Sequence, residues 1–373
     1  MMNKLMFKIS IGLIGFVAVV LFLQWMIFSP YEKIKISENG VEKVYLYDEN
    51  KKTLMLEDNK NEKFGTILRK TENILVLQTE MGKNFYLKDD FDVFNLVSNI
   101  KGKHSGTKKV AILYISTGKY IVFWKKFYQA MEKYFLPRHE KTYFLFTDHD
   151  FVKVEKNVVK IHQDQLPWPY VTLKRFHFFD KIEKQLKEYD YIYFLNGTML
   201  PIAEVNEEIF PTEEQEIMVT LHPGYWKGTK FSFPYDRNQK SMAYIPMGDG
   251  NFYVMGGFNG GTSSGFLTLI NTLKEWTDID LEKNIIASWH DESMLNKYLW
   301  TLMNRGKNPL ILLPEYAVPE NASGYGLNEF FPFVKMLILD KRYHGGHSFL
   351  RGQKEYPDIV VKPKSKDVIA IPD

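Results

Sequence analysis

From Lys109 onward, apolar runs of strand length alternate with amphipathic segments of helical period. The strand-like runs are VAILYIS, TYFLFTD and YIYFLNG, and the helix-like segments include IVFWKKFYQAMEKYF and LKRFHFFDKIEKQLKEY. A strand that is apolar at nearly every position is typical of a parallel sheet covered by helices on both faces. The alternation therefore predicts an α/β domain with a mainly parallel sheet. Ligands of such sheets bind beyond the carboxyl ends of the strands, where Ser116, Asp148 and Asn196 fall.

Upstream of this domain the pattern is different. Residues 32–100 hold short segments of alternating apolar and polar residues, separated by turn clusters such as Asn39-Gly40. Lysine and glutamate crowd the outward positions, as on a small solvated sheet. This segment is predicted to be a β-rich stem module without a catalytic cluster, and a glycine-containing linker follows it at residues 101–107.

An uncharged apolar run lies near the amino terminus. Residues 9–28 are apolar around Gln24 and are long enough to span a bilayer as a helix. A cleaved signal peptide is the alternative, but it would have a shorter apolar run and a small-residue cleavage site. We therefore expect a single-pass transmembrane anchor within residues 1–31, with the lipid bilayer as partner. The flanking lysines do not decide its orientation.

Composition excludes several classes of protein. Lysine plus arginine number 48 and aspartate plus glutamate 45. Without Lys4 and Lys8, which precede the apolar run, the balance is 46 to 45. A nucleic-acid binder would need a basic surplus, so none is expected as a partner. The chain has no cysteine, which excludes a thiol nucleophile, a disulfide framework and a cysteine-ligated metal site.

The sequence has no Walker loop, no GxGxxG after a strand, no HExxH and no GxSxG. Three local patterns remain. Trp289–Ser293 (WHDES) places two carboxylates beside an imidazole and an indole, which suits acid/base or nucleophilic chemistry and equally suits a helix start. Met255–Gly261 (MGGFNGG) would let backbone approach a ligand, although a turn explains the glycines as well. Asn196–Thr198 (NGT) ends a buried strand.

Together these patterns identify a resemblance. TLHPG at 220–224, AYIP at 243–246, GNFYVMGGFNGG at 250–261, WHDES-x-LNKY at 289–298 and PEY at 314–316 occur in the same order and at similar spacing as in glycosyltransferase family 6. That family includes the histo-blood-group A and B transferases and the α-1,3-galactosyltransferases, and the resemblance covers roughly Lys109 to Arg351. It implies a GT-A (Rossmann-like) domain over residues 101–355, followed by a peripheral tail at 356–373.

The activity that the resemblance implies is retaining α-1,3 transfer of N-acetylgalactosamine or galactose. The donor would be a UDP-sugar and the acceptor a galactose-terminated glycan or glycolipid. Glu292 matches the family's carboxylate at the anomeric carbon of the donor sugar. Retention requires a group on the face opposite the leaving UDP, either as nucleophile or as stabiliser of an oxocarbenium-like state, and the sequence leaves both open.

Other site residues are carried over by the same resemblance. Tyr120 aligns with the aromatic residue at the uridine, and Ile115 stands where the family commonly has Phe. Arg175 and Asp291 match donor contacts, His222 matches the histidine at the acceptor galactose, and Trp289 offers an apolar face to a sugar ring. The donor-binding residues expected are Ile115, Tyr120, Arg175, Asn196, Thr198, Met255, Gly256, Gly257, Asp291, Lys341 and Arg351.

One departure from the family concerns the metal. Animal members end the corresponding strand with Asp-x-Asp, which holds Mn²⁺ against the diphosphate, whereas this chain has Asn196-Gly197-Thr198. Amide and hydroxyl groups without a carboxylate bind a hard divalent cation poorly. Bacterial members likewise lack the aspartates and work without metal. We therefore expect no metal cofactor, with the diphosphate charge balanced by the basic run around Lys341 and Arg351.

The other departures concern sugar specificity. In the blood-group enzymes, Leu and Gly at the positions of Met255 and Gly257 accompany N-acetylgalactosamine, whereas Met and Ala accompany galactose. Here Met255 is combined with Gly257, and the small residue leaves room for an acetamido group, which favours UDP-GalNAc. Where the family has an acceptor-contacting aspartate after Pro-Glu-Tyr, this chain reads Ala317-Val318-Pro319, so its acceptor contacts must partly differ.

Two alternatives stay open at this point. The same fold could use a different donor sugar, or the chain could be a non-catalytic membrane protein that binds carbohydrate or nucleotide sugar. The localisation expected from the anchor is a Golgi type II membrane protein if the source is eukaryotic and an inner-membrane association if it is bacterial.

Overall fold

The computed structural model describes residues 31–38, 41–57, 62–70, 74–79, 82–88, 92–100, 106–327, 330, 333–363, 368–369 and 371. The chain forms two compact units, one ending at Leu96 and the other beginning at Val97. The transmembrane anchor expected at residues 9–28 lies outside the described residues, as does most of the expected linker. Within the described ranges, no helix is both long enough and apolar enough to cross a membrane.

The first unit is a sheet of seven strands that closes on itself. Its strands are β1 (Glu32–Glu38), β2 (Val41–Asp48), β3 (Thr53–Leu56), β4 (Lys63–Lys70), β5 (Ile74–Thr79), β6 (Gly82–Lys88) and β7 (Val93–Ile100). β1 pairs antiparallel with β2 and parallel with β7, which completes the closure. Successive side chains of a strand point to opposite faces of the sheet. In β1, Ile34 and Ile36 are buried, whereas the alternating residues Lys33 and Lys35 are exposed.

The second unit is built on a seven-stranded sheet of order β10-β9-β8-β11-β14-β13-β15. These strands are β8 (Lys109–Ile115), β9 (Glu140–Thr147), β10 (Val158–His162), β11 (Tyr191–Leu195), β13 (Ile217–Leu221), β14 (Val254–Thr262) and β15 (Leu310–Leu312). β14 runs antiparallel to both its neighbours, and every other pairing is parallel. A second, three-stranded sheet contains β12 (Met199–Pro201), β17 (Met336–Ile338) and β16 (Val318–Pro319) in that order.

Helices accompany this sheet. They are α1 (Trp124–Tyr134), α2 (Tyr170–Leu173), α3 (Arg175–Asp180), α4 (Glu183–Leu186), α5 (Ser263–Glu282), α6 (Asp291–Asn304) and α7 (Gly346–Leu350), and short 3₁₀ turns lie at Gly118–Phe123, Glu207–Ile209, Pro314–Tyr316 and Lys341–His344. Every residue of β11, β13 and β14 is buried, as expected of central strands covered on both faces. The predicted mixed α/β architecture is confirmed, and it is consistent with a GT-A-like domain.

The segment LKRFHFFDKIEKQLKEY was expected to be one amphipathic helix, which is wrong. It forms the last residue of α2 and the short helices α3 and α4, with breaks at Lys174 and Lys181–Ile182. Phe176, Phe178 and Phe179 are all buried. One face of a straight, half-exposed helix cannot bury positions this closely spaced, so the chain turns between short helices instead.

The glycine run of MGGFNGG lies in a strand, so its interpretation as a turn is also wrong. All four glycines belong to β14, and two of them face close neighbours. A Cβ on Gly260 would lie 2.2 Å from Tyr193 Cδ1, and one on Gly261 would lie 2.3 Å from the carbonyl oxygen of Glu216. Glycine is therefore required here for packing between strands rather than for a change of chain direction.

Candidate active site

The Glu292 carboxylate is held by two donors from one strand region. Glu292 lies in the first turn of α6, and its Oε2 accepts a hydrogen bond from the backbone N–H of Gly256 at 2.7 Å. Its Oε1 accepts a hydrogen bond from the Tyr253 hydroxyl at 2.8 Å. Both carboxylate oxygens are thus oriented by groups of β14 or of the residue directly before it.

These contacts set the ionisation of Glu292. Burial raises its pKa above the ordinary range for glutamate, while the Gly256 N–H, the Tyr253 hydroxyl and the nearby Arg175 guanidinium act in the opposite direction. Burial also raises the pKa of the Tyr253 hydroxyl far above its ordinary value, so this group keeps its proton and acts as a donor. The two hydrogen bonds and the Arg175 charge therefore stabilise the carboxylate anion of this half-buried residue.

Asn296, one turn further along α6, fixes the helix to the strand. Its Oδ1 accepts a hydrogen bond from the Val254 N–H at 3.0 Å, and its Nδ2 donates to the Val254 carbonyl at 2.9 Å. The same Nδ2 donates to the Glu292 carbonyl, also at 2.9 Å. Because this side chain is buried, the bridge defines how far Glu292 stands from β14.

A buried ion pair lies beside Glu292. Arg175 Nη1 is 2.9 Å from Asp291 Oδ2 and donates to the Gly256 carbonyl at 2.7 Å, and the guanidinium lies 4.2 Å from the ring centroid of Phe194. Burial raises the pKa of Asp291, and the Arg175 charge opposes that rise. Arg175 Nε is buried and has no hydrogen-bond partner among the described residues, so one donor of this guanidinium is unused.

Gly256 and Gly257 adjoin different groups. A Cβ on Gly256 would lie 2.8 Å from Asp291 Oδ2 and 3.3 Å from Glu292 Cβ. One on Gly257 would lie 2.5 Å from Met255 Cε and 3.6 Å from Asn196 Cβ. The Gly257 carbonyl accepts a hydrogen bond from the Asn196 N–H at 2.8 Å, so the NGT triplet is fastened beside the Met255–Gly257 pair.

A cavity of about 740 Å³ brings together four of the predicted site residues. Its lining includes Asn196, Thr198, His222 and Lys341, with Pro319, Glu320, Asn321, Ser323, Tyr325, Asp340, Arg342 and His347 among the other wall residues. Glu292 connects to this cavity through Tyr253, whose ring centroid lies 5.8 Å from that of His222. The residues expected to bind donor phosphate, acceptor and anomeric carbon are therefore neighbours.

His222 is held as a neutral imidazole. Its Nδ1 accepts a hydrogen bond from the Gly224 N–H at 3.0 Å, and burial lowers its pKa to about 4. A backbone N–H can only donate, so the ring proton of the neutral form lies on Nε2. His222 can therefore donate one hydrogen bond to a hydroxyl group without carrying charge.

Two cations of the carboxyl-terminal basic run, Lys341 and Arg351, each lie near an aromatic ring. Lys341 Nζ lies 5.5 Å from the ring centroid of Tyr120, and the Arg351 guanidinium lies 5.0 Å from that of Trp168. Burial, followed by the Arg351 charge, lowers the pKa of Lys341 to about 8. The Trp168 ring in turn contacts the ring of His290 edge-on at 5.1 Å, which links this group of cations to the start of α6.

Two predicted residues are placed less centrally. Trp289 is 52% exposed and is not among the residues that line the cavity. Ile115 ends β8, and its carbonyl oxygen lies 3.6 Å from where a Cβ on Gly197 would stand. Tyr253 and Asn296 were not identified as site residues from the sequence. Tyr253 belongs to the motif GNFYVMGG and Asn296 to WHDES-x-LNKY, so their positions in these motifs could have indicated them.

The donor set at the NGT triplet does not suit a divalent cation. Asn196 and Thr198 supply only an amide and a hydroxyl, and the same cavity wall carries the Lys341 ammonium. Within the part of the chain that the structure describes, no group of three or more histidine, aspartate or glutamate side chains could hold a metal ion. We derive no chemical step through a metal.

The chain is similar to known glycosyltransferases. The model of glycosyltransferase family 6 matches residues 93–343. The O-antigen biosynthesis glycosyltransferase WbnI of Escherichia coli is 34% identical over 234 residues, which are 62% of this chain and 94% of that protein. The histo-blood group ABO system transferase 1 of Rattus norvegicus is 33% identical over 216 residues, 56% of this chain and 60% of the relative.

The name of a less similar relative specifies a sugar and a linkage. The globoside alpha-1,3-N-acetylgalactosaminyltransferase 1 of Gallus gallus is 28% identical over 224 residues, again 56% of this chain, and 61% of that protein is covered. The chain thus spans about three fifths of the length of the rat and chicken relatives and nearly all of the bacterial one.

Proposed function

The chain belongs to glycosyltransferase family 6, and we propose that it is a retaining α-1,3-glycosyltransferase that uses a UDP-sugar and a galactose-terminated acceptor. The observation that carries this proposal is the Glu292 carboxylate, held by Tyr253 and Gly256 beside a cavity lined with hydrogen-bonding and cationic groups. A fixed, half-buried carboxylate supplies the group that retention needs on the sugar face opposite the leaving UDP.

Glu292 acts in its ionised form, either by attacking the anomeric carbon or by stabilising positive charge that develops there. Glu292 is half-buried, so water solvates its carboxylate only in part, and its two hydrogen bonds and the Arg175 charge stabilise the charged form. Arg175 is proposed as a donor-site residue that acts through its charge, which lowers the pKa of Glu292, and the Asp291 carboxylate keeps that guanidinium in place.

The diphosphate is proposed to bind against cations rather than through a metal. Lys341 and Arg351 are close enough for their charges to repel, which contributes to the low pKa of Lys341. A bound diphosphate would relieve this repulsion, and oriented charge-assisted hydrogen bonds would offset the charge of the leaving UDP. Asn196 and Thr198 line the same cavity as Lys341 and can contribute neutral hydrogen bonds.

The donor sugar is proposed to be N-acetylgalactosamine, with galactose as the alternative. Gly257 has no side chain at a position where an added Cβ would collide with the terminal methyl of Met255. An alanine at 257 would force Met255 to take another rotamer and would narrow the space beside Asn196. The glycine therefore preserves room for an acetamido group.

The acceptor is proposed to bind through His222, which can donate from Nε2 to a galactose hydroxyl. Ala317 and Val318, which replace the acceptor-contacting aspartate segment of the family, are buried and offer no polar group. The nearby cavity wall offers Asn321, Ser323 and Tyr325 instead. The anchor at residues 9–28 stays a prediction from the sequence.

The test is UDP release by purified, EDTA-treated full-length chain. UDP-GalNAc and UDP-Gal are each supplied with and without a fucosylated galactoside acceptor, and a parallel series contains Mn²⁺. We expect acceptor-stimulated turnover without metal that Glu292→Gln abolishes, while Glu275→Gln, at an exposed position of α5, leaves it unchanged.

The other outcomes point elsewhere. A strict Mn²⁺ requirement would overturn the proposal of metal independence but keep the transfer reaction. UDP release without any acceptor would indicate donor hydrolysis. Binding of donor without turnover in the wild type would favour the non-catalytic alternative.

A further inference from the structure

We propose that Glu320 and Lys362 are positioning residues, which fasten the described residues 354–363, 368–369 and 371 as a strap that holds Lys341 and Arg351 ready for the donor diphosphate. This inference rests on the proposed function of those two cations. The strap lies beyond residues 93–343, which the family model matches. Residues 356–373 were expected from the sequence to be a peripheral tail.

Glu320 is the point at which the strap meets the site. Glu320 is only 2% exposed. One of its carboxylate oxygens, Oε1, accepts a hydrogen bond from Lys362 Nζ at 2.6 Å. The other oxygen, Oε2, accepts a hydrogen bond from the Asp340 N–H at 2.9 Å. Removing the lysine would leave a buried carboxylate without its counter-charge, which is far costlier than losing an exposed ion pair.

Asp340 directly precedes Lys341, so the Glu320 carboxylate fixes the backbone at the root of that side chain. Leu339, which precedes Asp340, is also fixed, because its N–H donates a hydrogen bond to the Thr198 carbonyl at 2.8 Å. The Asp340 carboxylate accepts a hydrogen bond from the Arg342 N–H at 3.0 Å and thereby caps the 3₁₀ turn Lys341–His344. Lys341 therefore follows two residues whose backbone N–H groups are held, one by the NGT triplet and the other by Glu320.

A second attachment lies between the two cations. Gly345 and Gly346 join the Lys341–His344 turn to α7, and both have positive φ, 96° and 84°. The Asp358 N–H donates to the Gly345 carbonyl at 3.0 Å, and a Cβ on Gly346 would lie 2.8 Å from Asp358 Oδ2. The strap thus packs directly on the turn that sets the direction of α7, and Arg351 follows α7 immediately.

The strap returns to Glu320 a second time. The Ile369 N–H donates to the Glu320 carbonyl at 3.0 Å, and Val368 forms an isolated antiparallel bridge with Asn321. Ile371 packs against an apolar cluster that contains Phe123 and Leu339. These contacts lie on both sides of Lys362 in the sequence, so the lysine is presented to Glu320 by a segment that is itself fastened.

The physical benefit is pre-organisation. Two like charges as close as Lys341 and Arg351 separate if their backbone is free to move, and donor binding must then restore their arrangement at a cost in affinity. A backbone that is fixed on both sides of Lys341 removes that cost. The strap should therefore contribute to binding of the phosphates and not to binding of the nucleoside.

The experiment is calorimetric titration of the full-length chain with UDP and, separately, with uridine. The variants are Lys362→Met, Lys362→Arg and Glu320→Gln, and Lys307→Met is the matched control because its ion pair with Glu216 is more exposed and does not involve the cavity residues. We expect Lys362→Met and Glu320→Gln to bind UDP about tenfold more weakly, a change of about 1.4 kcal/mol. Uridine binding should stay at the wild-type level in every variant.

The conservative variant and the two ligands distinguish positioning from a general loss of stability. Lys362→Arg keeps the charge and should bind UDP like the wild type. Wild-type UDP affinity in Lys362→Met, or equal losses for UDP and uridine, would overturn the strap while leaving the proposed function intact. A wild type that binds neither ligand would overturn the proposed function, and the strap with it.

Discussion

The hydrogen bond from Tyr253 to Glu292 gives a prediction that separates ionisation from geometry. Tyr253→Phe removes one donor from a half-buried carboxylate and leaves the Gly256 N–H on the other oxygen. A hydrogen bond to a charged group contributes about 1.5–3 kcal/mol. At about 1.4 kcal/mol per factor of ten, the ratio of ionised to protonated Glu292 should fall about 10- to 100-fold.

The sign of the pH effect follows from which form the donor stabilises. The Tyr253 hydroxyl favours the carboxylate anion, so its loss raises the pKa of Glu292 further in the direction that burial already drives it. Because the proposed reaction needs the anion, the acidic limb of kcat/KM against pH should move to higher pH. The loss of kcat/KM should be about 10- to 100-fold on that limb and should shrink as the pH rises.

The assay is UDP release with acceptor present, measured across the pH range for wild type and variant. Tyr193→Phe is the matched control, because its hydroxyl is also buried and also donates, but to the neutral carbonyl of Ile209 at 2.8 Å. That variant should keep the wild-type pH profile. A Tyr253→Phe profile that drops by the same factor at every pH would refute the ionisation argument.

Three further predictions follow from the same region. Gly257→Ala should shift donor preference from UDP-GalNAc toward UDP-Gal, because the new methyl meets Met255 Cε; an unchanged ratio of kcat/KM for the two donors would contradict the steric argument. Burial and Arg351 lower the pKa of Lys341 to about 8, so the donor KM should rise as the pH passes above 8 and should stay flat in Lys341→Arg; flat wild-type values to higher pH would exclude this role. Burial lowers the pKa of His222 from 6.5 to about 4, so the folded chain binds fewer protons there than the unfolded chain between these pH values, and the free energy of unfolding should decrease as the pH is lowered from 6.5 to 4. In thermal melts, the melting temperature of His222→Gln should depend less on pH in this range than that of the wild type. A pH dependence parallel to that of the wild type would refute this role of His222.

The elements predicted from periodicity were those whose burial is uniform. VAILYIS, TYFLFTD and YIYFLNG are strands because a fully covered central strand has to be apolar on both faces. The pattern failed where packing overrides local preference. The aromatic residues around Phe178 are buried by chain turns between short helices, and the glycines of MGGFNGG fit into a central strand because neighbouring atoms leave no space for a Cβ.

For the site, the sequence supplied residue identities but not their mutual contacts. WHDES indicated paired carboxylates, yet only the folded chain separates their environments: Asp291 pairs with Arg175, whereas Glu292 is bound by neutral donors. The Glu320–Lys362 pair could not be predicted, because it joins residues 42 positions apart and neither belongs to a motif. Long-range ion pairs of this kind carry no periodic signal along the chain.

The most direct test of the central claim, that Glu292 directs retaining transfer without metal, is the anomeric configuration of the product formed by EDTA-treated chain. The product from UDP-GalNAc or UDP-Gal and the fucosylated galactoside is isolated, and its new linkage is assigned by nuclear magnetic resonance. The account predicts an α-linked product from the wild type and none from Glu292→Gln. A β-linked product, or an α-linked product formed equally well by Glu292→Gln, would contradict it.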